Sequence, residues 1–415
     1  MRRSFSSWSF VVGLLGSSAM GMSAAQGQTQ INNPMPATQP VVTNLTDGFS
    51  QEPALQVTSS SNNFAYEESA GLGEPWKLFG RGCDEPRLNI GGWLSFGHHD
   101  KSNDLFNTQP DGLNLHQAWL FVEKEAKSEN GELGLGFRFD GMYGIDAPDT
   151  QAFGNPGATW DLDPRFTRGG GYGWALPQVY GEVAMGNFSV KVGHFYTLAG
   201  YEEVSAPNNF FYSHSMSMYN SEPFTHTGAI ATYEMNDSMT LYGGWTAGWD
   251  TGFDFTAGSN FLGGFTKKFN EDASLTYITS FGDFGARGDD AYSHSFVLDM
   301  RMTEKMTSVI QSDLVRVGST GEDNVSLSHY AFYDVNDRLS IGKRSEWWKG
   351  DNVTAYAPHG GVLPAGGSHS HYGQTWGFNY KLNSNVTIRP EYRYNFSPAV
   401  DYDEKVFAVD VVATF

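Results

Sequence analysis

The sequence predicts an all-β fold: a transmembrane antiparallel β-barrel of about sixteen strands, with short turns at one end and longer loops at the other. Three observations carry this reading. First, runs of about ten residues alternate apolar and polar side chains from Arg87 to the end of the chain, the period-2 signature of strands. Soluble strands average about five or six residues, whereas a tilted membrane strand needs about 9–11. Second, short turns and long loops alternate between the runs. Third, charged residues are only 17% and aromatics 15%, with 49 glycines among 415 residues. Mean hydropathy is nevertheless −0.39. Apolar residues are thus diluted almost one for one by small polar ones, as expected of a wall with lipid on one side and water on the other.

The chain opens with a secretory signal over residues 1–25. Arg2 and Arg3 supply the positive region, Phe10 to Met22 a short apolar stretch, and Ser23, Ala24 and Ala25 the small residues before cleavage. Loss of the two arginines moves the net charge from −20 to −22. Residues 26–86 are rich in Gln, Asn, Ser, Thr and Pro and read as a disordered linker. The single cysteine, Cys83, rules out an internal disulfide framework.

The barrel is expected over 87–415. Leu133, Leu135, Phe137 and Phe139 share one face of a run, and Gly134, Gly136, Arg138 and Asp140 the other. Later runs repeat the pattern, for example Phe296, Leu298, Met300 and Met302 against Ser295, Asp299 and Arg301. Short turns are read near 127–131, 185–187, 235–237, 270–272, 303–305, 335–337 and 382–384. Longer loops are read near 98–111, 143–175, 197–224, 248–256, 283–290, 317–322, 349–369 and 397–403. Fifteen connections imply sixteen strands, and an even count places both barrel ends on the periplasmic side. Closure pairs every backbone group within lipid. A hairpin hidden inside 197–224 would raise the count by two. Pro390 lacks a donor and should mark a bulge or local bend. Lys267 and Lys343 fall on the lipid side of this register, so each is expected near an interface or beside a bulge. A secreted β-sandwich or propeller explains neither the strand lengths nor the loop alternation.

The last nine residues, Phe407 to Phe415, resemble the C-terminal assembly signal of bacterial outer-membrane proteins, ending on Phe415. Other stretches resemble the β-barrel porin-2 (OmpL-like) family of planctomycete type. They are Asn89 to Trp93, Leu115 to Lys124, Pro177 to Tyr180, Val190 to Tyr196 and Glu222 to Gly228. The resemblance covers roughly 87–415. It implies an outer-membrane channel surrounded by lipid and delivered by the outer-membrane assembly machinery. By analogy with general porins, a homotrimer is the natural assembly, although no residue pattern specifies it.

Sixteen strands leave an aqueous lumen, so function should lie in inward side chains. Alternation selects Arg138, Asp140, Glu182, Lys191, Lys268, Asp299, Arg301, Asp313, Arg344, Glu346, Arg389, Glu391 and Arg393 as pore-lining. Arg344, Arg389 and Arg393 would form a basic wall interrupted by Glu346 and Glu391. The third long connection, 197–224, carries Glu202, Glu203, Asn208, Asn209 and Glu222, expected as the acidic side of a constriction facing that wall. The expected function is passive diffusion of small hydrophilic solutes and ions, selected by pore size and charge. The competing class is a structural or adhesive barrel with a plugged lumen and ligand-binding loops.

Ser-His-Ser recurs at 213–215, 293–295 and 368–370. Neighbours on a strand point to opposite faces, so the doublets are not nucleophile–base pairs and no enzyme is expected. No cofactor is expected either. Asp161 and Asp163 are the only candidate Ca²⁺ ligands, and two carboxylates fall short of the usual six to eight oxygens. Strong acidity excludes nucleic acid as a partner.

Overall fold

The computed structural model describes residues 72–73, 75–77, 88–102, 106–128, 131–155, 159–166, 171–352 and 368–415. The signal segment, Cys83 and most of the linker lie outside them. Among the described residues the chain forms seventeen strands in one antiparallel sheet. They are β1 (Asn89–His99), β2 (Asn114–Lys124), β3 (Gly134–Gly144), β4 (Gly173–Ala175), β5 (Val179–Met185), β6 (Phe188–Tyr196), β7 (Thr225–Asn236), β8 (Met239–Thr246) and β9 (Ser259–Asn270). Then follow β10 (Ala273–Asp283), β11 (Ala291–Thr303), β12 (Met306–Val317), β13 (Glu322–Asn336), β14 (Leu339–Asp351), β15 (His369–Lys381), β16 (Val386–Ser397) and β17 (Tyr402–Thr414).

Strands β4 and β5 both pair with β3, so they are one stave interrupted around Pro177. The barrel therefore has sixteen staves. It closes where β1 pairs with β17, from Trp93 opposite Thr414 to His99 opposite Ala408. Each expected short turn joins the expected pair of strands. The connection 197–224 holds no hairpin; it carries a 3₁₀ turn at Ala206–Asn208 and the short helix α1 at Met216–Ser221.

Alternation sets the two faces. Outward Leu135, Phe137 and Phe139 are exposed, whereas Asp140 on the inner face is completely buried. Close packing inside the wall demands glycine at Gly92, where a Cβ would lie 2.1 Å from the Trp119 carbonyl oxygen. Beside it Trp93 and Trp119 stack at 4.6 Å.

At two positions the bulge alternative falls away. Pro390 marks an irregularity that is not a bulge. Its register with β17 runs unbroken, and the ladder to β15 simply lapses between Gly377 opposite Glu391 and Tyr380 opposite Ile388. Skipping the missing N–H is enough; no extra residue is inserted. Nor does a bulge excuse Lys343, since β13 and β14 stay in register from Ile341 to Asp351. Lys267 does lie beside a turn, where its ammonium donates to Ser238 Oγ at 2.8 Å.

The segment read as linker is tied down at its end. Trp76 N donates to Asn385 Oδ1 at 2.6 Å, and Asn385 Nδ2 donates to the Trp76 carbonyl at 2.8 Å. Ser384 N donates to the Leu72 carbonyl, and the Trp76 ring meets Phe415 edge-on at 6.2 Å.

Candidate functional site: an inward-folded third loop

Loop 3, residues 197–224, is almost wholly buried, although it connects two strands at the long-loop end. It therefore lies within the barrel. Three apolar contacts seat it. Val204, Ala206, Met218, Tyr219 and Phe224 pack with Trp93, Trp119 and Phe121 of β1 and β2 and Val412 of β17. Leu198 packs with Phe195, Ile230, Leu262 and Ile278 on β6 to β10. Phe210 and Phe211 pack with Val297, Val309, Tyr330 and Phe332 on β11 to β13. The loop thus touches the wall on several sides of the lumen.

Charged groups pin the same loop. Arg344 reaches Glu202 at 2.6 Å and Glu346 at 2.9 Å, and its other nitrogens donate to Ser213 and the His214 carbonyl. Arg389 pairs with Asp410 at 2.6 Å and donates to the carbonyls of Ala206 and Asn209 at 2.7 and 2.6 Å. Arg393 donates to the His214 carbonyl and lies 3.4 Å from Glu346. Glu391 accepts from the backbone N–H groups of Tyr212 and Ser213 at 2.9 and 3.1 Å. Glu346 accepts from Met216 N at 2.6 Å.

Of the loop acids expected to face the arginine wall, Glu202 is in direct contact with it through Arg344. Burial leaves water too scarce to solvate an isolated guanidinium, so each arginine finds a carboxylate or carbonyls. Burial would raise the Glu202 carboxyl, but the Arg344 charge, His214 and the Ser215 N–H outweigh it and hold it at about 2. Glu222 is pushed up instead, by burial and then by Asp313, and takes a hydrogen bond from Gln311. Glu203, Asn208 and Asn209 bond within the loop: Glu203 Oε2 accepts from Ser205 Oγ at 2.7 Å, and Glu203 N donates to Asn209 Oδ1 at 3.0 Å.

The remaining inward candidates lie elsewhere on the wall. Arg138 bonds Asp140 at 2.7 Å and nears Glu123 at 3.6 Å. Glu182 sits opposite Lys191 in register, and the Lys191 ammonium lies 4.1 Å from the Tyr180 ring centre. Asp313 gathers donors from Ser295, Gln311 and Ser326, while Asp299 is buried. Lys268 and Arg301 lie exposed toward the short-turn end, Arg301 against Asp272 at 2.5 Å.

Sequence reasoning missed a buried polar string beside this clamp. Asp146 accepts from His116 Nδ1 at 2.9 Å, His116 Nε2 meets the Tyr212 hydroxyl at 2.5 Å, and that hydroxyl meets His99 Nδ1 at 2.9 Å. In the neutral tautomer whose Nδ1 donates to the carboxylate, His116 Nε2 accepts from the Tyr212 hydroxyl, which in turn accepts from His99. Burial, followed by nearby carboxylates, raises the Tyr212 phenol and keeps it protonated. No motif signals this string, because its members come from four separate segments.

Asp161 and Asp163 take different partners. Asp161 accepts from the N–H groups of Ala152 and Leu176, and burial pushes it up to about 6. Asp163 pairs with Arg165 at 2.6 Å. Among the described residues no group of three or more His, Cys, Asp or Glu gathers in metal-binding geometry. Of the Ser-His-Ser sites, 293–295 follows strand parity, with Ser293 and Ser295 buried inward while His294 turns outward to Tyr277; 213–215 lies in loop 3, where all three residues are buried.

A closed barrel of sixteen staves holding one long loop inside it is the architecture of an outer-membrane porin. The chain belongs to the Putative beta-barrel porin-2, OmpL-like family, whose model matches residues 87–415. It is an outer-membrane protein, and its function is that of a porin. No curated protein matches it. Among solved structures, it is similar to the anion-selective porin of Comamonas acidovorans (10% identity, TM-score 0.55, 79% of this chain and 99% of that one). It also resembles the outer-membrane channel DcaP of Acinetobacter baumannii (12%, TM-score 0.51, 79% and 96%). A third is OmpT of Vibrio cholerae in a trimer form (12%, TM-score 0.50, 79% and 99%). At such identities the likeness is one of fold.

Proposed function

We propose that small hydrophilic solutes and ions diffuse passively through this barrel, and that loop 3 sets the bore and the charge they meet. The observation that carries this is the pinning of the loop inside the wall by Arg344, Arg389 and Arg393. Solutes would pass beside the fixed loop, meeting Arg138, Glu182, Lys191 and Lys268 as the polar lining, with size and charge as the only filters. No catalysis and no cofactor is invoked. The working unit is a homotrimer, in keeping with the trimer form described for the Vibrio cholerae barrel.

Conductance across a planar bilayer tests this. Folded wild-type protein should pass ions. Glu202→Gln combined with Arg344→Gln should free the loop, enlarge the unitary conductance and shift ion preference. A folded wild-type barrel that passes no current would overturn the reading.

A further inference from the structure

The long-loop end of the barrel carries a second layer outside loop 3. Three connections build it: residues 145–155 after β3, residues 247–258 between β8 and β9, and residues 284–290 between β10 and β11. Hydrogen bonds knot them together. Gly154 N donates to the Asp250 carbonyl at 2.8 Å, Gly252 N to Asn155 Oδ1 at 2.9 Å, and Trp249 N to the Phe284 carbonyl at 3.1 Å. Asp250 Oδ1 accepts from the N–H groups of Phe224 and Thr225 at 2.7 and 3.0 Å, which fastens the layer to the end of loop 3. The Trp249 and Phe284 rings stack at 4.3 Å and pack on Ala291, Val315 and Val317, at the outer ends of β11 and β12. One buried cation joins these parts. Arg287 Nη2 donates to Glu322 Oε1 at 2.6 Å and to the Asn220 carbonyl in α1, and the guanidinium carbon lies 5.0 Å from the Trp249 ring centre. Glu322 Oε1 also accepts from Asn324 Nδ2 at 2.6 Å.

We infer that the Arg287–Glu322 pair sets a second bore, in series with that of loop 3 and nearer the long-loop end. The lumen-facing side chains under the layer are buried on six successive strands: Asn260, Ser280, Ser293, Val315, Asn324 and Trp348, from β9 to β14. Along that side the layer fills the mouth down to the wall. It holds together by loop-to-loop bonds and one ring stack, without a strand ladder, which is the kind of contact that opens locally. Arg287 touches loop 3, the 247–258 connection and β13 at once, so removing it uncouples all three. Its ion pair shares no carboxylate with Arg344, Arg389 or Arg393, and the two restrictions can therefore be opened separately. The charge of Arg287 is met at close range by Glu322. The outer bore accordingly sorts solutes by width, and charge selection is left to the surfaces below it. Because this filter lies on the same path, it rests on the diffusion reading proposed above.

The test removes the pair without changing net charge, in Arg287→Gln combined with Glu322→Gln. Single channels are recorded in planar bilayers with uncharged polyethylene glycols of graded size added to one side at a time. A polymer that enters a pore lowers its conductance. From the long-loop side the largest polymer that enters should be larger for the variant than for wild type. From the short-turn side the limit should stay the same, and so should ion preference. An unchanged limit on the long-loop side, or an equal shift on both sides, would overturn the assignment. A second readout needs no current. Ser293→Cys in a Cys83→Ser background places a thiol one step deeper than Ala291. An impermeant thiol reagent added from the long-loop side should label it slowly in the otherwise unaltered protein and several times faster when the pair is removed. Equal rates would sink the second bore whether or not the barrel conducts, whereas a barrel that passes no current yet shows the faster labelling would sink the diffusion reading and leave the layer standing. Should the paired variant lose its heat-modifiable migration, Trp249→Leu, which thins the ring stack and keeps the ion pair, should give the same one-sided shift and the same faster labelling; neither change in that variant would also overturn the assignment.

Discussion

Arg344 shows how buried charge works in this protein. It is fully buried, yet it touches Glu202, Glu346, Ser213 and the His214 carbonyl. Removing it alone leaves Glu202 without its arginine and Glu346 with Arg393 only, so Arg344→Gln should destabilise by about 3–5 kcal/mol, read as a lower temperature of heat-modifiable unfolding. Adding Glu202→Gln should recover part of that loss. The pH dependence follows from the depressed Glu202 carboxyl. An acid whose folded pKa lies below its ordinary value contributes stability that is complete above about 4.5 and is lost as pH falls toward about 2. Channel recordings should therefore be steady from neutrality to about pH 5 and turn noisy below it as loop 3 loosens. Recordings as quiet at pH 3 as at pH 7 would contradict the clamp.

Among the elements, strands and turns were legible in the sequence and the interior of loop 3 was not. Turn formers such as Asn236-Asp237 and Asn336-Asp337 mark strand ends locally, and a one-residue slip would expose every apolar side chain to water. The wall position of Arg389 followed from the same parity. Its destination did not: Asp410 lies on the next strand, and the carbonyls of Ala206 and Asn209 come from a loop nearly 200 residues earlier. Such contacts have no local signature. The kind of irregularity at Pro390 was not legible for a related reason, since a lapsed ladder and a bulge look identical in sequence. Because only the ladder is lost, Pro390→Val should be tolerated and gain at most about 1 kcal/mol from a restored hydrogen bond, seen as a slightly higher unfolding temperature. A marked loss of stability would mean the proline supplies shape that the register does not reveal.

At the scale of the whole molecule, closure rests on the seam between β1 and β17. Phe415 N donates to the Gly92 carbonyl, and Gly92 N donates back to the Phe415 carbonyl. Deleting Phe415 removes both this last rung and the terminal aromatic of the assembly signal. Membrane-integrated, heat-modifiable protein should then fall sharply. An undiminished yield would show that the final rung is dispensable.

The strap formed by Leu72, Gly73 and Trp76 adds a matter of timing. Its partners, Ser384 and Asn385, follow it by about 310 residues. Bringing such distant points together carries a large loop-closure entropy if attempted early, and contacts of long sequence separation form slowly. The strap can dock only once the last hairpin exists. It acts as a latch thrown at the end of folding, when the first residues ahead of the barrel clasp the last turn and Trp76 covers part of Phe415. The ring that finishes assembling thereby partly shields the aromatic by which it would be recognised as unfinished.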